Sequence, residues 1–106
     1  MINGRNKGKN FELTLIKKLK SLGWVKACSS RSESRNLDAA GVDVCYTDPL
    51  QIQCKAVEKN FNVHTELASM PQNGKFNLVF HKRNRLGTVV SMTEEDFFRL
   101  IKGVLC

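Results

Sequence analysis

Proline is nearly missing from this chain, with two residues in 106, and tyrosine and tryptophan occur once each. No Pro- or Gly-rich tract divides the chain, and no internal repeat or low-complexity segment occurs. Residues 1–106 therefore read as one domain. No apolar run approaches the ~18–20 residues that cross a bilayer, so a helical membrane span is excluded. The opening stretch MINGRNKGKNFE lacks the apolar segment of a secretory signal, and a cytoplasmic location is the expectation. The four cysteines, at positions 28, 45, 54 and 106, make no C-x-x-C pair. Zinc-type clustering is absent, and free thiols of a reducing compartment are expected.

Acidic residues are also scarce where basic ones gather. Residues 1–31 hold Arg5, Lys7, Lys9, Lys17, Lys18, Lys20, Lys26 and Arg31 against the single acid Glu12, in a chain of net charge +7. A positive field concentrated at one end suits a polyanion, most often nucleic acid. What remains is ordinary: 42% hydrophobic residues and six phenylalanines, enough for a core and against disorder.

The hydrophobic spacing predicts a helix over 10–22, capped by Asn10 and ended by Gly23 in a left-handed turn. At ~100° per residue, Phe11, Leu15, Ile16, Leu19 and Leu22 share one arc. Glu12 falls inside that arc, where a carboxylate is expensive unless paired or bound to a cation. Strands are expected at 24–28, in VDVCY and IQCKA around an Asp-Pro turn, at 76–82 and at 88–92. Residues 29–41 read as a polar, mobile loop, and 63–70 as a short helix. QNG (72–74) and RNRLG (83–87) punctuate the second half. A last helix covers 93–105, with Thr93 and Asp96 as a capping box and Phe97, Leu100, Ile101 and Val104 as its apolar stripe. The order α-β-β-β-α-β-β-α predicts an α/β fold, a mixed sheet flanked by helices.

The stretch GVDVCYTDPLQIQCKA (41–56) sorts its side chains by parity. Val42, Val44 and Tyr46 share a face with Ile52, Cys54 and Ala56. Asp43 and Cys45 share the other with Gln53 and Lys55. A five-residue loop, 47–51, pairs Tyr46 with Ile52, Val44 with Cys54 and Asp43 with Lys55, leaving Gln53 diagonal to Asp43. Cys45 and Cys54 then face opposite sides and form no disulfide. One reading of the polar face is a solvent-exposed Asp–Lys pair. The other is a site: the displaced Glu12 needs a partner, and a metal ion would draw it to the Asp43 cluster.

KGKNFE opening a helix, an aspartate in GVDV and then QCK on the next strand resemble the PD-(D/E)XK nuclease superfamily. The likeness is to the small archaeal-type Holliday-junction resolvases and their bacteriophage relatives, over roughly residues 5–56. The resemblance implies a restriction-endonuclease-like core and a Mg²⁺-dependent endonuclease acting on four-way DNA junctions, with Mn²⁺ as a substitute metal. It implies that Asp43 ligates the metal, joined by the Gln53 amide oxygen, the Cys54 backbone carbonyl and Glu12. Lys55 would orient or activate the attacking water and stabilise charge on the phosphate. Gln53 stands where that superfamily usually has Glu, which removes a negative charge and weakens metal binding. The resemblance also implies a location in a host cell if the chain is phage-encoded.

Arg5, Lys7, Lys9, Ser30, Arg31 and Arg35 are the candidate DNA contacts, with Ser29 and Ser32 in the same serine-rich run. Such contacts give salt-sensitive affinity and positioning. His64 and His81 read as surface or hydrogen-bonded structural residues, Trp24 as core, and the acids of TEEDFFRL as complements to a helix dipole. A junction is nicked on two symmetric strands, so a one-site chain implies a homodimer, with an apolar interface in the second half. Two alternatives stand beside this reading: a nuclease of the same fold acting on other branched or unpaired DNA, and a non-catalytic nucleic-acid binder with a degenerate site.

Overall fold

The structure is a computed structural model describing residues 4–33, 35–57 and 61–105, with side chains from residue 8 onward, Ser32 excepted. Helix α1 (Gly4–Leu22) precedes β1 (Cys28–Ser29), α2 (Ser30–Glu33) and α3 (Arg35–Ala39). Strands β2 (Val44–Cys45) and β3 (Leu50–Ala56), helix α4 (Val63–Ser69), strands β4 (Phe76–Arg83) and β5 (Gly87–Ser91), and helix α5 (Glu94–Leu105) complete the chain. The five strands form one mixed sheet in the order β1-β2-β3-β4-β5, with β3 and β4 parallel and every other pair antiparallel. The parallel pair needs a crossover, and α4 supplies it. The expected mixed sheet flanked by helices is present, but the order differs: α2 and α3 stand between β1 and β2, where a loop was expected. No helix among the described residues is long and apolar enough to cross a membrane.

Helix α1 starts six residues before Asn10, so Asn10 is not its cap. Its carbonyl instead accepts from Thr14 Oγ1 at 2.9 Å inside the helix. Asn is only a weak brake once the helix is held by packing, and Leu15, Ile16 and Leu19 hold this one against Val44, Ile52 and Leu78. Leu22 is exposed because the helix has passed the sheet by then. Gly23 ends α1 as expected, at φ 127°. Its N–H donates to Lys20 O and that of Trp24 to Leu19 O, both at 3.2 Å, a Schellman closure. The strand expected over 24–28 shrinks to Cys28–Ser29, since residues 23–27 turn back on themselves through Val25 N–H to Gly23 O and Ala27 N–H to Trp24 O. Trp24 packs at the core edge, its indole N–H donating to Asp48 O at 2.9 Å.

The second face of the sheet is covered by α4. Leu67 and Met70 meet Val42 and Val79, with Leu37 of α3 and Phe61 alongside. Both faces of β3 are therefore interior, and the odd-numbered face of the hairpin is not a solvent face: Gln51 and Gln53 are buried. Val42 belongs to this second cluster and not to Val44's face, because β2 begins only at Val44 and the chain bends ahead of it.

Candidate metal and nucleic-acid site

The turn joining β2 to β3 is shorter than the expected loop. Leu50 N–H donates to Thr47 O at 2.8 Å, closing Thr47–Leu50. Tyr46 leaves the ladder at φ 63° and is exposed. The register is therefore Val44 opposite Ile52, not Cys54. Parity survives the shift, and Asp43 loses Lys55 as its direct partner. Instead Asp43 brackets Gln53. Its backbone N–H donates to Ile52 O at 2.7 Å, and its carboxylate Oδ2 accepts from the Cys54 N–H at 2.7 Å. On the other side, Ser30 N–H donates to Asp43 O at 2.9 Å, so the start of α2 is fixed to the same residue.

Gln53 is 6% exposed, and its Oε1 has no hydrogen-bond partner. Gly41 makes room for this amide: it sits at φ 87°, and a Cβ there would stand 3.1 Å from Gln53 Nε2. Two positions earlier, Gln51 is satisfied throughout. Its Nε2 donates to Asn77 Oδ1 and, at 3.0 Å, to Pro71 O, and its Oε1 accepts from Asn73 at 2.9 Å. A buried acceptor without a donor is costly, and an unseen water or ion is the usual resolution.

Glu12 is 5% exposed on the sheet side of α1, as its position in the apolar arc predicts. Burial pushes its carboxyl above the ordinary value. Arg31 pulls it down, and Asp43 and Asp38 add to the rise. Arg31 of α2 reaches it at 3.6 Å through Nη2, with more than half of the Arg31 side chain still exposed. Asp43 is raised too, first by burial, against the Cys54 N–H that favours its charge. Asp38 raises it further, while Arg31 and Lys55 lower it. The Cys54 thiol is pushed far up by burial and then by the fields of Asp43 and Glu12. These mutual effects place Glu12, Asp43 and the Cys54 segment of β3 in one electrostatic neighbourhood. Lys55 is tethered from α4 by Glu66, Nζ to Oε1 at 3.5 Å, and lies beside His81 in the parallel register.

Asp38 and Glu66 were missed by sequence reasoning. Asp38 lies in the segment read as a loop, and α3 brings it to Ser30, whose Oγ donates to its Oδ1 at 3.4 Å. Spacing on one helical turn could have found Glu66 on α4, but not its meeting with Lys55. Among the candidate DNA contacts, Lys9, Arg31 and Arg35 are exposed, while Ser30 is fully buried and cannot reach a phosphate as it stands. Ser29 is half-buried, and its Oγ accepts from the Arg31 N–H at 3.3 Å. The side chains of Arg5, Lys7 and Ser32 lie outside the described residues. His81 is hydrogen-bonded to Ser91 Oγ at 2.8 Å, and His64 is exposed. Cys28, Cys45 and Cys54 are free thiols, and Cys106 lies outside the described residues.

Among the described residues, no three His, Cys, Asp or Glu side chains gather closely enough to hold a metal ion on their own. Two partly desolvated carboxylates, Glu12 and Asp43, feel each other's charge, and Asp43 is hydrogen-bonded to the strand that carries the orphaned Gln53 amide oxygen. All are hard oxygen donors, which suit Mg²⁺ or Mn²⁺ and not a thiolate-seeking ion. No protein-family model, no curated protein and no solved structure matches this chain.

Proposed function

We propose that this chain is a Mg²⁺-dependent DNA endonuclease with a restriction-endonuclease-like core that nicks four-way junctions, working as a homodimer. The observation that carries this reading is the buried, partnerless Gln53 Oε1 bracketed by Asp43. Glu12, Asp43, Gln53 Oε1 and the Cys54 carbonyl would hold the ion. Once bound, such an ion polarises a phosphodiester and lowers the pKa of a water. The chain's own groups do the rest. Burial raises the Asp43 pKa while the Cys54 N–H favours its charge, and a bound cation would favour that charge further. Lys55 brings an ammonium to the same end of β3, where it can neutralise a phosphate oxygen. Lys9, Arg31 and Arg35 supply exposed positive charge for the strands leading to the site. Hydrolysis adds one water across one phosphodiester: an O–P bond forms, a P–O bond breaks, and a sugar hydroxyl leaves.

A second reading has its own support. Lys55 is engaged by Glu66, and Gln53 is neutral, so the same pocket also fits a binder that has lost chemistry. A synthetic four-way junction with Mg²⁺ separates the two. Wild type should cut it, while Asp43→Asn and Lys55→Ala bind without cutting. Wild type that binds at low salt yet never cuts makes the chain a binding module. Equal competition by linear duplex would remove junction selectivity and leave a nuclease for other DNA.

A further inference from the structure

Helix α5 is twelve residues long and not one of them is buried. Its hold on the domain is narrow: Arg99 stacks 4.6 Å from the Phe76 ring and donates to Gly74 O at 3.1 Å. Yet α5 is amphipathic, with Phe97, Phe98, Leu100, Ile101, Val104 and Leu105 on one arc. Phe97 is 46% exposed, Phe98 59%, Val104 73% and Leu105 79%. Together these four present on the order of 500 Å² of apolar side chain, toward the upper end of the largest patch a monomer leaves exposed, a size that is often functional. Two copies would bury roughly 1,000 Å², the lower bound for a specific interface.

The charges on the helix select the occupant. Written as heptads, Phe98 and Leu105 take position a, Ile101 takes d, and Phe97 and Val104 take g. Glu95 and Lys102, seven apart, both take e. In an antiparallel pair each flank meets the same flank of the other helix run backwards. Glu95 of one copy then faces Lys102 of the other, twice across a two-fold axis. A parallel pair would set Lys102 against Phe97 and leave Glu95 without a partner on α5. The acidic first turn, Glu94, Glu95 and Asp96, and the basic last turn, Lys102, are complementary in the same sense.

We propose that α5 is the two-fold contact of a homodimer, packed antiparallel against α5 of a second copy, with Glu95 and Lys102 as reciprocal partners. The inference deepens the homodimer of the proposed function without using its chemistry, and its test contains no DNA, so either can fail without the other. Sedimentation equilibrium on the full chain should show a dimer. Phe98→Glu, at an exposed position and with its fold checked by circular dichroism, should give a monomer. Glu95→Lys and Lys102→Glu should each weaken the dimer by about tenfold or more, and the double variant E95K/K102E should return to within a few-fold of wild type. A monomeric wild type overturns the proposal. So does a dimer indifferent to all four variants. Single reversals that weaken without rescue by the double overturn the antiparallel arrangement.

Discussion

Gln51 and Gln53 are the same residue type on the same face of the same strand, and their surroundings differ completely. One is locked in an amide network with Asn73, Asn77 and Pro71, and the other keeps an empty acceptor beside Asp43. Replacing Gln53 by Glu should sharpen this difference. Without metal, a third carboxylate beside two raised ones should lower the melting temperature by several degrees, since ~1 kcal/mol moves a domain of this size by about 4–8 °C. With Mg²⁺ the order should reverse, as ligand binding to the folded state stabilises it. Differential scanning fluorimetry in chelator and in Mg²⁺ measures both. Gly41→Ala tests the cradle. A side chain at φ 87° costs about 1–2 kcal/mol, and its Cβ would press on the Gln53 amide. Urea unfolding should show that loss, accompanied by weaker Mg²⁺ stabilisation. Glu12 and Asp43 set a pH dependence whose sign is fixed by burial. Both carboxyls hold protons more tightly folded than unfolded. In chelator their contribution is fully present below the ordinary carboxylate values and is lost as pH rises through the raised folded ones. Glu12→Gln should therefore flatten stability against pH and raise it at neutral pH, as unfolding curves from acid to neutral pH will record.

Elements were legible in the sequence where local chemistry and burial agree. Helix α4, strands β4 and β5 and the Thr93 cap fall close to their expected places, the last through Asp96 N–H donating to Thr93 Oγ1 at 3.1 Å. The Asp96 carboxylate, however, takes Arg99 instead of closing the box. The hairpin's parity was also legible, because it follows from alternation alone. Its register was not: that depends on the turn, and Thr47–Leu50 closes one step tighter than a five-residue loop. Residues 29–41 were misread because serine and asparagine favour turns locally. Here Leu37 reaches the second core and Ser30 is pinned to Asp43, so tertiary contacts impose helix on a sequence with weak preference for it. Glu12 was legible for the opposite reason: an acid within an apolar arc stands out by its helical spacing alone. Helix α4 yields a test at this scale. Asn62 Oδ1 accepts from Thr65 N–H at 3.1 Å and caps a helix of seven residues. Asn62→Ala should cost about 1 kcal/mol and loosen the Glu66 tether on Lys55. Amide hydrogen exchange should show faster opening of 63–69 than of β3.

At the scale of the molecule, the proposed DNA partner implies a dependence on salt. A net charge of +7 gathered toward the first third should make DNA binding steeply salt-dependent. If the protein neutralises roughly five phosphates, the slope of log affinity against log salt is about −4 to −5. Arg31→Ala with Arg35→Ala should reduce that slope by about 2, a shift readable by fluorescence anisotropy across a salt series.

The parallel strand pair has a consequence for when the protein becomes competent. Strand β3 lies between β2 and β4, and Ile52, paired with Val44, meets its second neighbour only in Leu78. Every residue of the proposed site, from Glu12 to Lys55, leaves the ribosome before that neighbour exists. A growing chain thus carries the whole set of reactive groups while the strand that aligns them still has one side unclaimed. In the proposed reading, competence would wait for β4, and topology alone would keep an incomplete copy inert.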